Sequence, residues 1–99
     1  MGKISTSLTP QQVDDLVAGE KVVVFSKSYC PYCINTKKLL AGKGIDFALV
    51  ELDEIPGGSD VQAYLAKKTG QRTVPNIFIA QKHIGGNSDL VALNNSGHL

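Results

Sequence analysis

The only two thiols of the chain stand two residues apart, in Cys30-Pro31-Tyr32-Cys33. Thiols at i and i+3 at the start of a helix can reach one another, and this spacing lets them close a strained, readily reduced disulfide. Such a pair exchanges electrons. The loop it closes is too short to remove much entropy from the unfolded chain, so its use is chemical rather than structural. Pro31 suits the first helical position, where its missing N–H has no acceptor to meet, and this sets Cys30 at or near the N-cap. There the unpaired N–H groups and the positive end of the helix dipole favour the Cys30 thiolate, and Lys27 adds a cation three residues earlier. Cys33 lies one turn deeper, farther from water and from those donors. Cys30 is therefore expected to attack and Cys33 to resolve. A C-x-x-C pair can also be half of a zinc site, and buried cysteines can be inert. Tetrahedral zinc needs four ligands, yet there is no second cysteine pair, and His83 and His98 lack the usual finger spacing.

The chain that carries the pair has 99 residues, 42% of them hydrophobic and 19% charged. That length fits a single domain over residues 1–99, burying roughly 60–65% of the unfolded surface without disulfide staples. The formal charge is +1, and the ten Lys and Arg residues are dispersed, so there is no electrostatic footprint for nucleic acid. No apolar run is longer than Val22 to Phe25, far short of the roughly 20 residues of a membrane span. Met1 to Thr6 contains no apolar secretory core, which together with the few cysteines points to a reducing, cytoplasmic setting. Gly2 with Thr6 formally fits a myristoylation pattern, a short and often accidental one.

The elements that must position the thiols follow from periodicity and caps. Thr9-Pro10-Gln11-Gln12 forms a capping box, and Val13, Leu16 and Val17 give one apolar face before Gly19 ends the helix. Lys21 to Ser26 is a continuous β-branched run suited to a strand buried on both faces. Ile34 to Ala41 reads as helix and Phe47 to Leu52 as a second strand, parallel to the first through a right-handed crossover. Ser59 with Gln62 repeats the capping-box pattern, and Val61, Leu65 and Ala66 form an apolar stripe that Gly70 closes. Pro75 to Ala80 and Gln81 to Ile84 are too close for a crossover and are expected to pair as a hairpin. After Gly85-Gly86, a cap at Asn87, Ser88 or Asp89 starts a last helix through Leu90, Val91 and Leu93. The order is α-β-α-β-α-β-β-α, an α/β fold with a mixed four-stranded sheet flanked by helices. Sites in such sheets form at the carboxyl ends of parallel strands, and the first strand ends at Ser26, just before Lys27-Ser28-Tyr29-Cys30.

At these residues the sequence resembles the dithiol glutaredoxins. Cys30-Pro31-Tyr32-Cys33, Thr73-Val74-Pro75 before a strand, and Gly85-Gly86 followed by Ser88-Asp89 match that family in order and spacing. The thioredoxin branch of the same fold usually carries Trp-Cys-Gly-Pro-Cys, and this chain has no Trp. The resemblance implies a thioredoxin-like fold with a cis bond before Pro75. It implies a glutathione-dependent thiol–disulfide oxidoreductase, acting as a monomer, with glutathione as co-substrate and no tightly bound cofactor. Its substrates would be protein–glutathione mixed disulfides and protein disulfides, with glutathione reductase coupled only through glutathione. Residue by residue, Lys27 and Gln71 match the positions for the glycine carboxylate, with Arg72 adjacent, and Thr73, Val74 and Pro75 form the loop that pairs with the ligand backbone. The N–H groups of Ser88 and Asp89 suit the γ-glutamyl carboxylate, the Asp89 side chain suits the ammonium, and Tyr32 packs beside the thiol. Read alone, Lys27 and Arg72 are ordinary solvated charges and Ser88-Asp89 a helix cap; Lys37-Lys38 and Lys67-Lys68 read as solvated helix faces.

Two rivals come from other classes. Some relatives of this fold hold an iron–sulfur cluster between two protomers through Cys and glutathione thiolates, an arrangement that the rigid Pro31 argues against by resemblance. A thioredoxin-type reductase fed by a flavoenzyme differs in the reductant that restores its thiols. The chain departs from the family in two places: it stops at His98-Leu99, where members usually continue the last helix, and it has Asn87 where Cys is frequent.

Overall fold

The computed structural model of the chain describes residues 2–99. Five strands and four helices alternate as β1 (Gly2–Ile4), α1 (Pro10–Gly19), β2 (Val22–Ser26), α2 (Pro31–Gly42), β3 (Ala48–Glu51), α3 (Gly58–Thr69), β4 (Asn76–Ile79), β5 (Lys82–Gly85) and α4 (Asn87–Asn95). The sheet order is β1-β3-β2-β4-β5. Strands β1, β3 and β2 are parallel, while β4 pairs antiparallel with β2, and β5 antiparallel with β4. This is the thioredoxin-like arrangement, with one strand more than the sequence led us to expect. The addition is β1, whose three residues pair with Ala48, Leu49 and Val50 and are too few to show a period of their own.

Strand β2 is buried along its whole length, because the sheet has helices on both faces. Its alternate residues feed two cores. Val23 and Phe25 pack with Val13, Val61 and Leu65 on the α1/α3 side. Val22 and Val24 pack with Leu40, Ile77 and Leu90 on the α2/α4 side. By the same alternation Ser26, fully buried, faces α2.

The helix starts show which local signals were used. Thr9 caps α1 with both halves of the expected box, Gln12 N–H to Thr9 Oγ1 at 3.1 Å and Thr9 N–H to Gln12 Oε1 at 2.9 Å. The box expected at Ser59 does not form. Helix α3 begins two residues earlier, at Gly58, with Gly57 as a left-handed N-cap (φ 69°) that has no side chain to offer. The reason is packing: a Cβ on Gly58 would sit 1.7 Å from the Leu52 carbonyl oxygen, so only glycine allows this approach to the end of β3. In α4 the cap is Gly86, not Asn87, Ser88 or Asp89. Asp89, three residues in, reaches back to accept the Gly86 N–H at 2.9 Å.

Candidate active site

Helix α2 starts where β2 delivers the chain to the edge of the core, and Cys30 is its N-cap, with Pro31 in the first turn. The Cys33 N–H donates to Cys30 Sγ at 3.3 Å, so the sulfur itself takes the place of the usual capping oxygen. An N–H and the positive end of a helix are thus directed at this sulfur. The Cys30 thiol also points to the Val74 carbonyl at 3.8 Å, across 44 residues of sequence. Both cysteines are free thiols, Cys30 half-buried and Cys33 wholly buried. Burial, and then the hydrogen bond with Cys30, push the Cys33 thiol up to about 11, against the weaker opposite pull of the Lys27 backbone and the Ser26 hydroxyl. The two thiols therefore differ as their places in the helix require.

Three side-chain tethers that the sequence does not announce hold the loops around Cys30. Asp53, just past β3, accepts the Ser28 N–H at 2.9 Å through Oδ1 and the Ser28 hydroxyl through Oδ2. Those bonds, the hydroxyl's first, hold the Asp53 carboxyl below the usual carboxylate range. Opposite, the Val74–Pro75 bond is cis. Gln71 spans that turn, its Nε2 donating to the Thr73 carbonyl at 3.0 Å and the Pro75 carbonyl at 2.8 Å, while Gln62 Nε2 donates to the Arg72 carbonyl at 2.9 Å.

Two clefts flank Val74. One, of about 410 Å³, is lined by Lys27, Tyr29, Cys30, Arg72 and Val74, among others. The other, of about 420 Å³, is lined by Tyr32, Thr73, Val74, Pro75 and Ser88, with Gly86 and Asn87. Tyr29 and Tyr32, each 68% exposed, stand on either side of Cys30 in sequence. The structure thus gathers Lys27, Cys30, Tyr32, Thr73, Val74, Pro75 and Ser88 around these clefts. It places one expected contact differently. Gln71 spends its side-chain amide on the cis-proline turn and lines neither cleft. Asp89 stands at the start of α4, where one carboxylate oxygen also caps the helix. Lys37 is not on a solvated face as expected: its Nζ pairs with the buried Glu51 Oε2 at 2.7 Å, and Glu51 Oε1 has no partner among the described residues. Lys37 lies one turn after Cys33, and Glu51 pairs in register with Ser26, so this ion pair sits under the thiol helix on the α2 side of the sheet.

The same arrangement recurs in known proteins. The Glutaredoxin family model matches residues 22–84. Glutaredoxin-C6 of Oryza sativa subsp. japonica is 55% identical over 85 residues, which are 86% of this chain and 76% of that protein. Glutaredoxin-C2 of Arabidopsis thaliana is 51% identical over 89 residues, 90% of this chain and 80% of that protein. The crystal structure of a buckwheat glutaredoxin–glutathione complex superposes with a TM-score of 0.88 at 44% identity, covering 91% of this chain and 82% of that one. With a thiol N-cap before a cis-proline turn, and likeness of this extent in both sequence and structure, the chain belongs to the glutaredoxin family.

Proposed function

We propose that this chain is a glutathione-dependent thiol–disulfide oxidoreductase acting on protein–glutathione mixed disulfides and on protein disulfides. The observation that carries the reading is Cys30 Sγ at the N-cap of α2, facing the Val74 carbonyl between two clefts. The Cys30 thiolate attacks the glutathione sulfur of a mixed disulfide. The protein sulfur leaves, takes a proton from water, and a Cys30–glutathione disulfide remains. A second glutathione thiolate then attacks the glutathione sulfur of that adduct, freeing Cys30 as thiolate and releasing glutathione disulfide. In the dithiol route the Cys30 thiolate first attacks a protein disulfide, leaving one protein sulfur as thiolate and the other bonded to Cys30; Cys33 then loses its proton and attacks the Cys30 sulfur, breaking that bond, expelling the reduced substrate and closing Cys30–Cys33.

Lys27, with Arg72 in the same cleft, offers charge to the glycine carboxylate. Thr73, Val74 and Pro75 offer an extended backbone edge, and Tyr32 a wall beside the thiol. The free N–H groups of Ser88 and Asp89 at the start of α4 suit the γ-glutamyl carboxylate, and the remaining lone pairs of Asp89 suit its ammonium. Gln71 serves by bracing the turn. The protein works as a single-domain monomer in a reducing, cytoplasmic setting, with glutathione reductase coupled to it only through glutathione.

Replacing either cysteine separates the routes. Cys30→Ser is expected to abolish both activities, whereas Cys33→Ser keeps glutathione-coupled reduction of a small mixed disulfide and loses reduction of protein disulfides by the dithiol route. Loss of the first activity in Cys33→Ser overturns the assignment.

A further inference from the structure

Asn87, the first residue of α4, accepts two hydrogen bonds from α2 on its Oδ1: from Asn35 Nδ2 at 3.0 Å and from Thr36 Oγ1 at 2.9 Å. Thr36 is fully buried, so its hydroxyl has no water to turn to, and together with Asn35 Nδ2 it occupies the Asn87 Oδ1. With Oδ1 taken up by these two bonds, neither of them uses Nδ2. Its hydrogens have no partner among the described residues. Asn87 also lines the cleft of about 420 Å³, between Tyr32 on α2 and Ser88 on α4. An oriented, unspent amide donor thus stands at the wall where the first N–H groups of α4 emerge.

We propose that Asn87 is a specificity-determining residue for glutathione, its Nδ2 donating to the α-carboxylate of the γ-glutamyl arm, with Thr36 and Asn35 as positioning residues that aim it. This rests on glutathione lying in the cleft as described above. The family's frequent cysteine at this place would offer only a weak S–H donor to the same carboxylate, so the amide adds a donor where a thiol adds almost none.

The test uses two small mixed disulfides with the same leaving thiol, one carrying glutathione and the other cysteinylglycine, which lacks the γ-glutamyl arm. Asn87→Ala is expected to raise KM for the glutathionyl substrate by about tenfold or more, the worth of one hydrogen bond to a charged acceptor, with kcat held. It leaves the cysteinylglycyl substrate unchanged. Thr36→Val, which keeps the buried shape and removes the hydroxyl, lowers the same selectivity ratio by a smaller factor. Equal losses on both substrates, or no change on either, overturn the proposal. A native chain that shows no preference for the glutathionyl substrate overturns the glutathione reading, and this assignment with it.

Discussion

Cys30 and Cys33 are one kind of side chain in two surroundings, and the difference has a thermodynamic signature. An ordinary thiol releases its proton near pH 9, whereas buried Cys33 holds its proton to about 11. Between those values the unfolded chain has lost a proton that the folded chain keeps, so the folded state loses stability as pH climbs through that window. In the reduced protein, urea midpoints at pH 8 and pH 10.5 are expected to diverge more in the native chain than in Cys33→Ser; equal slopes would show that burial of the thiol is without this consequence. The different places of the two cysteines in the helix were legible because they are written in four consecutive letters. The tethers were not: Ser28 and Asp53 are 25 residues apart, and Thr36 and Asn87 are 51 apart. An Asp, an Asn or a Lys has many possible partners in a sequence, and only the approach of β3 and α4 to the thiol helix selects one. Lys37 shows the cost of reading charge alone, since the residue expected in water compensates a buried carboxylate.

Among the elements, those with a strong period or a paired cap were recovered from sequence, and the misplaced ones were set by contacts rather than local preference. The Thr9–Gln12 box forms because nothing opposes it. The equally good Ser59–Gln62 pattern is overruled because α3 must pass against the Leu52 carbonyl, which only the bare backbone of Gly58 permits. Gly58→Ala is accordingly expected to destabilise the fold by about 1–3 kcal/mol, the usual cost of forcing an extra carbon into a packed site, although alanine is the better helix former. Thermal unfolding measures this directly, and a stabilised variant would show that the contact yields. The hairpin between β4 and β5 turns through Ala80 and Gln81, both at positive φ (51° and 69°), a conformation usually left to Asn and Gly. That pair carries no turn signature, so the hairpin was legible only from the short distance between two apolar runs.

At the scale of the molecule, one sheet divides two apolar clusters, and each face has its own polar bond between helices. Tyr64 on α3 donates to Asp14 on α1 at 2.9 Å, while Asn87 joins α4 to α2. Because β2 contributes alternate residues to both clusters, neither can come apart without removing the strand that backs the other. Unfolding is therefore expected to be a single transition: far-UV circular dichroism and tyrosine fluorescence should give coincident denaturant curves, and separated midpoints would show that the two faces are independent. The Cα radius of gyration of 12.3 Å agrees with roughly 13 Å for a folded domain of about 100 residues. Binary pattern was enough to foresee that compactness, and the parallel pairing of β2 with β3 and the hairpin of β4 with β5 followed from connection lengths. Only the outermost strand, β1, escaped. The thiol N-cap reaches beyond geometry to energetics. A free Cys30 sulfur can accept the Cys33 N–H as an anion, whereas the same sulfur in a disulfide is a poorer, neutral acceptor, so the cap favours the reduced state. A cap worth about 1 kcal/mol corresponds to about 20 mV of reduction potential for a two-electron couple, shifted toward the oxidising side.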